Sequence, residues 1–499
     1  MGREDQIVNE RLRKLKELRA AGINPYPHKF EKEDSAEMLQ QSYKKLKAGE
    51  KSRATAKIAG RVMSIRDIGK IDFLVLQDGS GKIQIVLQEK ETPEKIREFV
   101  KKYIDSGDFI GVEGSLFRTQ RGELSILVKK LELLSKSILP LPEKFHGLQD
   151  KEERYRKRYL DLLTSPEVKE IFLTREKMID AIRDFLKSKG FVEVDTPYLQ
   201  TIYGGAEARP FKTHLNALDI DLFLAISPEL YLKRLIVGGF EKVFTIARNF
   251  RNEGIDKWHN PEFTMMEIYQ AYADYNDMMD LTESIYEHVC KKILGTTKIK
   301  YGDVTLDFKK PWKRMTMAQA IKQYAKIDVL NMDAKQLLDF ADKNRIEYKE
   351  KNWGMMVASI FEHFCEKNIV QPTFITDHPR ETTPLCKRHP KDPRLIERFE
   401  PFCMGVELAN AYTELNDPIL QKELLKEQQS KLNKGSEEAN PYDEDFVNAI
   451  EIGMPPTGGL GIGIDRMIIL LTAQQSVRDI ILFPFMKPLE TKKDKGEKK

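Results

Sequence analysis

Residues 244–272 read FTIARNFRNEGIDKWHNPEFTMMEIYQAY, and the fold turns on how this stretch is read. Phe244 to Glu253 and Phe263 to Tyr272 have the composition of two strands, and the polar segment Gly254 to Glu262 joins them as a loop too long for a tight hairpin. Long loops carried on rigid strands commonly serve a ligand. Alternate residues of a strand share a face, so Phe263, Met265, Glu267 and Tyr269 place a ring, a carboxylate and a phenol together, and Arg251 and Glu253 share a face of the other strand. Charged groups amid Phe, Met and Ile are costly to bury unless paired or holding a ligand. From these residues alone, an ion pair across the hairpin and a ligand site both stay open.

Upstream, Met178, Ile179, Ile182, Phe185 and Leu186 lie on one helical face, Gly190 stops the helix, and Phe191 to Val194 leads into Thr196-Pro197. Downstream, residues 313–369 carry helical periodicity in three blocks, Met317 to Tyr324, Ala334 to Ala341 and Met355 to Phe364, which reads as a helical insertion. Strand-like sequence returns at Thr373 to Thr376 and Gly405 to Leu415. The run Gly458-Gly459-Leu460-Gly461-Ile462-Gly463-Ile464-Asp465-Arg466 then opens an apolar helix. Its spacing is not that of a phosphate-binding lysine loop, and tight packing under a helix explains it equally. Arg466 adds to it, because a guanidinium there can reach a phosphate or stack on a base.

Toward the N-terminus the pattern shortens to Lys57 to Val62, Asp72 to Leu76, Lys82 to Leu87, Phe109 to Leu116 and Glu123 to Leu134, with turn signals at Asp67 to Lys70 and Asp78-Gly79-Ser80-Gly81. Five strands within about 80 residues suggest an oligonucleotide-binding (OB) barrel. Before them Ile7, Leu12, Leu15 and Leu18 recur among Arg11, Arg13, Lys14, Lys16 and Arg19. This basic helix is either a solvated face of its own domain or a phosphate-backbone contact.

At 499 residues the chain exceeds one hydrophobic core. The expected division is a basic helix and lead-in at 1–53, an OB-fold at 54–140, a linker at 141–153, a catalytic domain at 154–488 containing the insertion, and a disordered Lys-rich tail at 489–499. The fold class is α+β. The 41% hydrophobic and 32% charged residues exclude disorder as the main state. No run approaches the roughly 20 apolar residues of a membrane span, and Met1 to Asn9 is too polar for a signal peptide. A cytosolic protein with no membrane partner is expected. Cys290, Cys365, Cys386 and Cys403 form no CxxC pair, so neither a zinc site nor a disulfide framework is signalled. The net charge of +4 is too small to argue for nucleic acid, and any such case must be local.

Phe250-Arg251-Asn252-Glu253, the Gly458 to Arg466 run and the helix-strand ending at Pro197 resemble the three signature motifs of class II aminoacyl-tRNA synthetases. Ser227-Pro228-Glu229-Leu230-Tyr231-Leu232-Lys233-Arg234, Asn249 to Gly254, His259 to Met266 and Thr413-Glu414-Leu415-Asn416-Asp417 are similar to the lysyl-tRNA synthetases within that class. The resemblance covers nearly the whole chain. It implies an antiparallel sheet cradling bent ATP, with Arg251 on the α-phosphate, Phe263 and Arg466 sandwiching adenine, and Glu253 holding the base; His259 and Asn260 belong to the same ATP set. A fixed cation suits the α-phosphate, where charge grows during in-line attack. Glu400 and Glu407 resemble the family's Mg²⁺ carboxylates. Glu407 has opposite parity to Asn410, so that strand must start late or bulge.

A lysine pocket must offset a buried ammonium. The resemblance assigns to it Gly205, Glu229, Arg251, Glu267, Tyr269, Asn410, Tyr412 and Glu414, of which Asn410, Tyr412 and Glu414 share a strand face. The related aspartyl and asparaginyl enzymes typically carry Gln where Glu229 stands. In the barrel the resemblance implies anticodon binding, with Phe73 stacking a base and Arg61 and Gln84 making polar contacts. One departure is Trp258, where relatives usually have Arg beside the histidine; Lys257 could replace that cation, or the indole could stack on the tRNA acceptor end.

The implied reaction is an ATP-dependent ligation: L-lysine and ATP give lysyl-adenylate and pyrophosphate, and lysine passes to the terminal ribose of tRNA(Lys). The implied assembly is a homodimer through residues 172–197. Two alternatives stand beside it. An amide ligase using the same adenylate chemistry would generally lack the N-terminal barrel, and a non-catalytic paralogue should have lost Arg251, Glu253, Arg466 or the metal acids.

Overall fold

The computed structural model describes residues 2–142, 148 and 150–489. Residues 143–147 and 149 of the expected linker, and the expected tail from 490 onward, lie outside the described residues. The chain forms two compact units, Met1–Gln149 and Asp150–Lys499.

In the first unit β1 (Lys51–Ile68), β2 (Ile71–Gln77), β3 (Lys82–Gln88), β4 (Phe109–Arg118) and β5 (Leu124–Ser135) close into a barrel in the order β1-β2-β3-β5-β4, the architecture expected from the strand spacing. Alternation fills the interior: Leu74 and Leu76 of β2 point in with Ile58, Ile85, Ile110 and Ile126. The wall bends where a Cβ has no room, as at Gly60, where it would stand 2.5 Å from the Gln77 carbonyl. A helix not read from the sequence, Glu94–Tyr103, links β3 to β4 and adds Val100 and Tyr103 to the core. The basic helix α1 (Arg3–Ala20) buries Leu15 and Leu18. Arg11 donates to the Ser106 and Leu139 carbonyls (2.7 and 2.8 Å), Lys14 pairs with Asp105 (2.8 Å), and Arg13 pairs with Glu10 and Glu17. Most of the expected phosphate-facing charge is thus tied within its own unit, leaving Lys16 and Arg19.

The second unit is built on a nine-stranded sheet. Its strands are β6 (Val192–Glu193), β7 (Lys242–Phe250), β8 (Glu262–Ala271), β9 (Lys313–Thr316), β10 (Thr373–Pro379), β11 (Leu395–Cys403), β12 (Val406–Glu407), β13 (Ala409–Thr413) and β14 (Thr457–Gly463). The order is β9-β10-β11-β13-β14-β8-β7-β6, with β12 on β11. The centre is antiparallel as expected, but both edges are parallel, β6 with β7 and β9 with β10. Parallel neighbours need a crossover, and the insertion helices Met317–Tyr324, Ala334–Lys343 and Trp353–Phe364 lie within the one joining β9 to β10.

Two sequence expectations shift. Arg251 and Glu253 do not lie on the strand, which ends at Phe250. Arg251 N still donates to the Pro261 carbonyl (2.9 Å), but Pro261 has no N–H to return and Asn252 N turns instead to the Arg209 carbonyl (2.8 Å). The segment Gly405 to Leu415 is not one strand: Leu408 N still donates to the Pro401 carbonyl (2.8 Å) in the register of β12, and the pairing against β11 then slips by one residue before β13. That slip is the bulge demanded by the parity of Glu407 and Asn410.

Candidate active site

The Gly-rich run is a central strand. Across it the register aligns Glu267, Gly461 and Asn410 in one row, and Tyr269, Gly459, Tyr412 and Arg398 in the next. Glycines in the middle strand leave a trough, and side chains of β8 and β13 stand as its walls. Two adjoining cavities occupy it. The first, about 270 Å³, is lined by Gly205, Glu229, Glu267, Tyr269, Asn410 and Tyr412, with Arg398, Glu400 and Glu407 at one side. The second, about 120 Å³, is lined by Glu253, Trp258, His259, Asn260, Phe263 and Arg466. Arg251, Met265, Glu407 and Gly461 border both.

Arg251 has left the strand but not the site. Its guanidinium carbon stands 5.1 Å from the Phe263 ring centroid, and its buried Nε has no hydrogen-bonding partner. Burial lowers its pKa, and Glu253 and Glu407 oppose that shift. Such a cation suits an incoming anion. Glu253 is exposed at the rim of the second cavity. Arg466 donates to the Glu407 carbonyl (2.8 Å) and carboxylate (3.1 Å) and meets His259 Nε2 at 3.2 Å. Arginine can only donate, so His259 Nε2 accepts and Nδ1 carries the proton toward Asp256 (2.9 Å). Asn260 donates to the Glu262 carbonyl (2.6 Å). Trp258 packs against the main hydrophobic core and lines the second cavity, and the Lys257 ammonium lies 5.5 Å from its ring.

Acids dominate the first cavity. Glu229 and Glu267 are 5% and 3% exposed and Glu414 is wholly buried. Glu229 Oε1 accepts from Tyr412 (2.6 Å) and from Lys233 Nζ (2.6 Å). Glu267 accepts from Ser227 (2.8 Å) and Tyr269 (3.2 Å), yet burial and the neighbouring Glu229 push its carboxyl up to about 8. Glu414 does not line the cavity wall directly. Its Oε2 is ion-paired with Lys233, while Oε1 has no hydrogen-bonding partner and lies against Gly459 and Tyr269. Gly205, at φ +86°, presses on Glu229, where a Cβ would approach within 2.8 Å. Asn410 turns its amide oxygen to Arg398 Nε (3.0 Å), so it presents its NH₂ to the cavity rather than an acceptor.

Arg398, Lys233 and Gly459 were not singled out from the sequence. Arg398 sits on β11, which was not read as a strand. Lys233 had a signal, since it follows Glu229 by one helical turn in Glu229–Val237. In the first unit, Arg61, Phe73 and Gln84 are all half-buried, on the outward side of the β1-β2-β3 wall. Arg61 donates to the Gly107 carbonyl (2.9 Å) and stacks on Phe109, and Gln84 accepts from Ser125 (2.8 Å). Phe73 alternates with buried Asp72 and Leu74, so its ring is on the outer face.

Among the described residues no helix is long and apolar enough to cross a membrane, and all four cysteines are free and buried. Comparison with known proteins matches residues 56–134 to the OB-fold nucleic acid binding domain and residues 150–487 to the tRNA synthetases class II (D, K and N). The chain is 50% identical to the lysine–tRNA ligase of Dehalococcoides mccartyi over 99% of both chains. It is 50% identical to that of Carboxydothermus hydrogenoformans over 97% of this chain and 98% of the relative. With the lysine–tRNA ligase of Methanoculleus marisnigri it shares 49% over 95% and 94%. The trough, bordered by an arginine whose buried Nε has no hydrogen-bond partner, lies beside an acid-lined pocket, and the match over nearly the whole length of these enzymes makes this protein a member of the class II lysyl-tRNA synthetase family.

Proposed function

We propose that the protein is a lysine–tRNA ligase whose first cavity holds L-lysine and whose second holds ATP. The observation that carries the reading is Glu414 Oε1, a fully buried carboxylate oxygen without a hydrogen-bond partner, which lies against Gly459 of the acidic cavity's lining. Leaving such an atom unpaired is costly, and an ε-ammonium is the group that would satisfy it. A carboxylate side chain would be repelled there. The names of the 50% identical relatives support the same choice.

In the first step a lysine carboxylate oxygen attacks the α-phosphorus, a P–O bond forms, and the bond to pyrophosphate breaks. Arg251, between the cavities, stabilises the charge growing on the α-phosphate. Asn410 Nδ2 and the Arg251 guanidinium orient the carboxylate, while Glu229 and Glu267 hold the α-ammonium. Phe263 and Arg466 enclose adenine, and His259 and Asn260 brace the loop. In the second step the terminal ribose hydroxyl of tRNA(Lys) attacks the acyl carbon and AMP leaves. Glu400 and Glu407 fit Mg²⁺, which takes one or two carboxylates with phosphate oxygens: Arg398 and Arg466 engage one oxygen of each and orient the pair. Bound there, the ion would neutralise phosphate charge. Trp258 replaces a phosphate-contacting cation with an apolar wall.

The barrel face carrying Arg61, Phe73 and Gln84 is proposed to take the anticodon. A cytosolic homodimer is proposed through residues 172–197, supported by exposed Leu173 and Val192 at 42% and 46%. The test is charging: purified protein should attach labelled lysine to tRNA with a lysine anticodon, and charging of that tRNA with aspartate instead would refute the assignment.

A further inference from the structure

Lys233 is entirely buried and touches neither substrate cavity. Its Nζ donates to Glu229 Oε1 (2.6 Å) and is ion-paired with Glu414 Oε2, and the rings of Tyr412 and Phe446 lie 5.5 and 5.9 Å from it. Burial works against its charge, but Glu229 and Glu414 more than compensate and hold it protonated. Three carboxyl groups, Glu229, Glu267 and Glu414, act on one another here beside one resident ammonium; Glu207, Glu400, Glu407, Arg251 and Arg398 also line the first cavity.

We propose that Lys233 is a positioning residue of the amino-acid pocket, aiming Glu414 and easing its ionisation so that, with Glu229 and Glu267, it can face the two ammoniums of the substrate. The proposal rests on the lysine reading of the site. Its physical basis is that a second or third buried carboxyl beside others takes up a proton unless a cation faces it. Burial holds the Glu414 carboxyl well above its ordinary range, Glu229 and Glu267 add to that, and Lys233 is the group that opposes it. The other titratable groups packed here, Tyr269, Tyr412 and Cys386, are held neutral by burial, so they supply no replacement charge. A diamino acid balances the pocket; an isostere with an uncharged side chain leaves one carboxylate without a cation. Lysine at 233 would thus select for lysine as substrate through Glu414, without contact.

The test is lysine-dependent ATP–pyrophosphate exchange by wild type and Lys233→Met. In the variant Glu414 lacks the cation that opposes its upward shift, so giving up its proton to serve an ammonium costs more. The expected result is a KM for lysine raised about 100-fold with the KM for ATP unchanged, a lysine kcat/KM that recovers as pH rises, and weaker discrimination against norleucine. Should Lys233→Met fail to fold, Lys233→Met with Glu414→Gln removes the uncompensated charge and should fold while losing the preference over norleucine. An unchanged KM and pH profile in Lys233→Met overturns the inference while leaving the lysine assignment intact, and a double variant that still prefers lysine overturns both. Wild type showing no lysine-dependent exchange overturns both.

Discussion

Glu414 and Gly459 are in contact across neighbouring chain segments in a way that only glycine permits: Glu414 Oε1 lies where a side chain at 459 would begin, and Tyr269 Cε1 would be 2.7 Å from it. The glycine at 459 therefore makes room for Glu414, the acid proposed to meet the far end of the substrate. Gly459→Ala is expected to raise the KM for lysine at least about 100-fold, with the KM for ATP within about twofold. A thermal melt checks that the variant is folded, and a normal lysine KM would show that Glu414 is not at the pocket's foot.

The Glu267 carboxyl, pushed up to about 8, is protonated in the empty pocket at neutral pH. A bound ammonium favours its carboxylate, so lysine binding should release a proton; release approaches one at about pH 7 and fades above about pH 9. Isothermal titration in buffers of different ionisation enthalpy measures it, and lysine kcat/KM should rise with pH toward the same value. Proton uptake on binding would contradict this.

Trp258 lines the second cavity, proposed to take ATP, whereas Trp312 is in the core and Trp353 begins an insertion helix. Addition of ATP should change tryptophan emission, and Trp258→Phe should abolish the change. The Val477 amide also donates to the Lys257 carbonyl (2.7 Å), tying the backbone beside Trp258 to the helix that begins at Val477. Persistence of the signal in Trp258→Phe would move the nucleotide elsewhere.

If Phe73 stacks a base, Phe73→Ala should cost about 1–3 kcal/mol of tRNA binding and leave lysine-dependent exchange unchanged. Filter binding at fixed salt checks the first part and exchange the second. Loss of exchange would mean that the barrel acts on the first step.

Much of this was legible because strand parity is local. Phe263, Met265, Glu267 and Tyr269 were placed on one face from spacing, and the bulge before Asn410 followed from Glu407 standing out of phase. What escaped depended on pairing between distant segments. Arg398 reaches Asn410 only because β11 pairs β13, and Gly459 matters only because Glu414 crosses over it. Lys233 stands in the motif Ser227 to Arg234, but a buried lysine is recognisable only once both of its acids, Glu229 and Glu414, are in place. Arg251 was assigned to a strand that Pro261 and Asn252 end one residue earlier.

The most direct measurement is amino-acid-dependent ATP–pyrophosphate exchange by the purified protein with lysine, arginine, aspartate and asparagine offered separately, in wild type and Arg251→Ala. The account predicts exchange with lysine alone and its abolition in Arg251→Ala while tRNA binding is largely retained. Exchange supported by aspartate or asparagine, or full activity without Arg251, would contradict it.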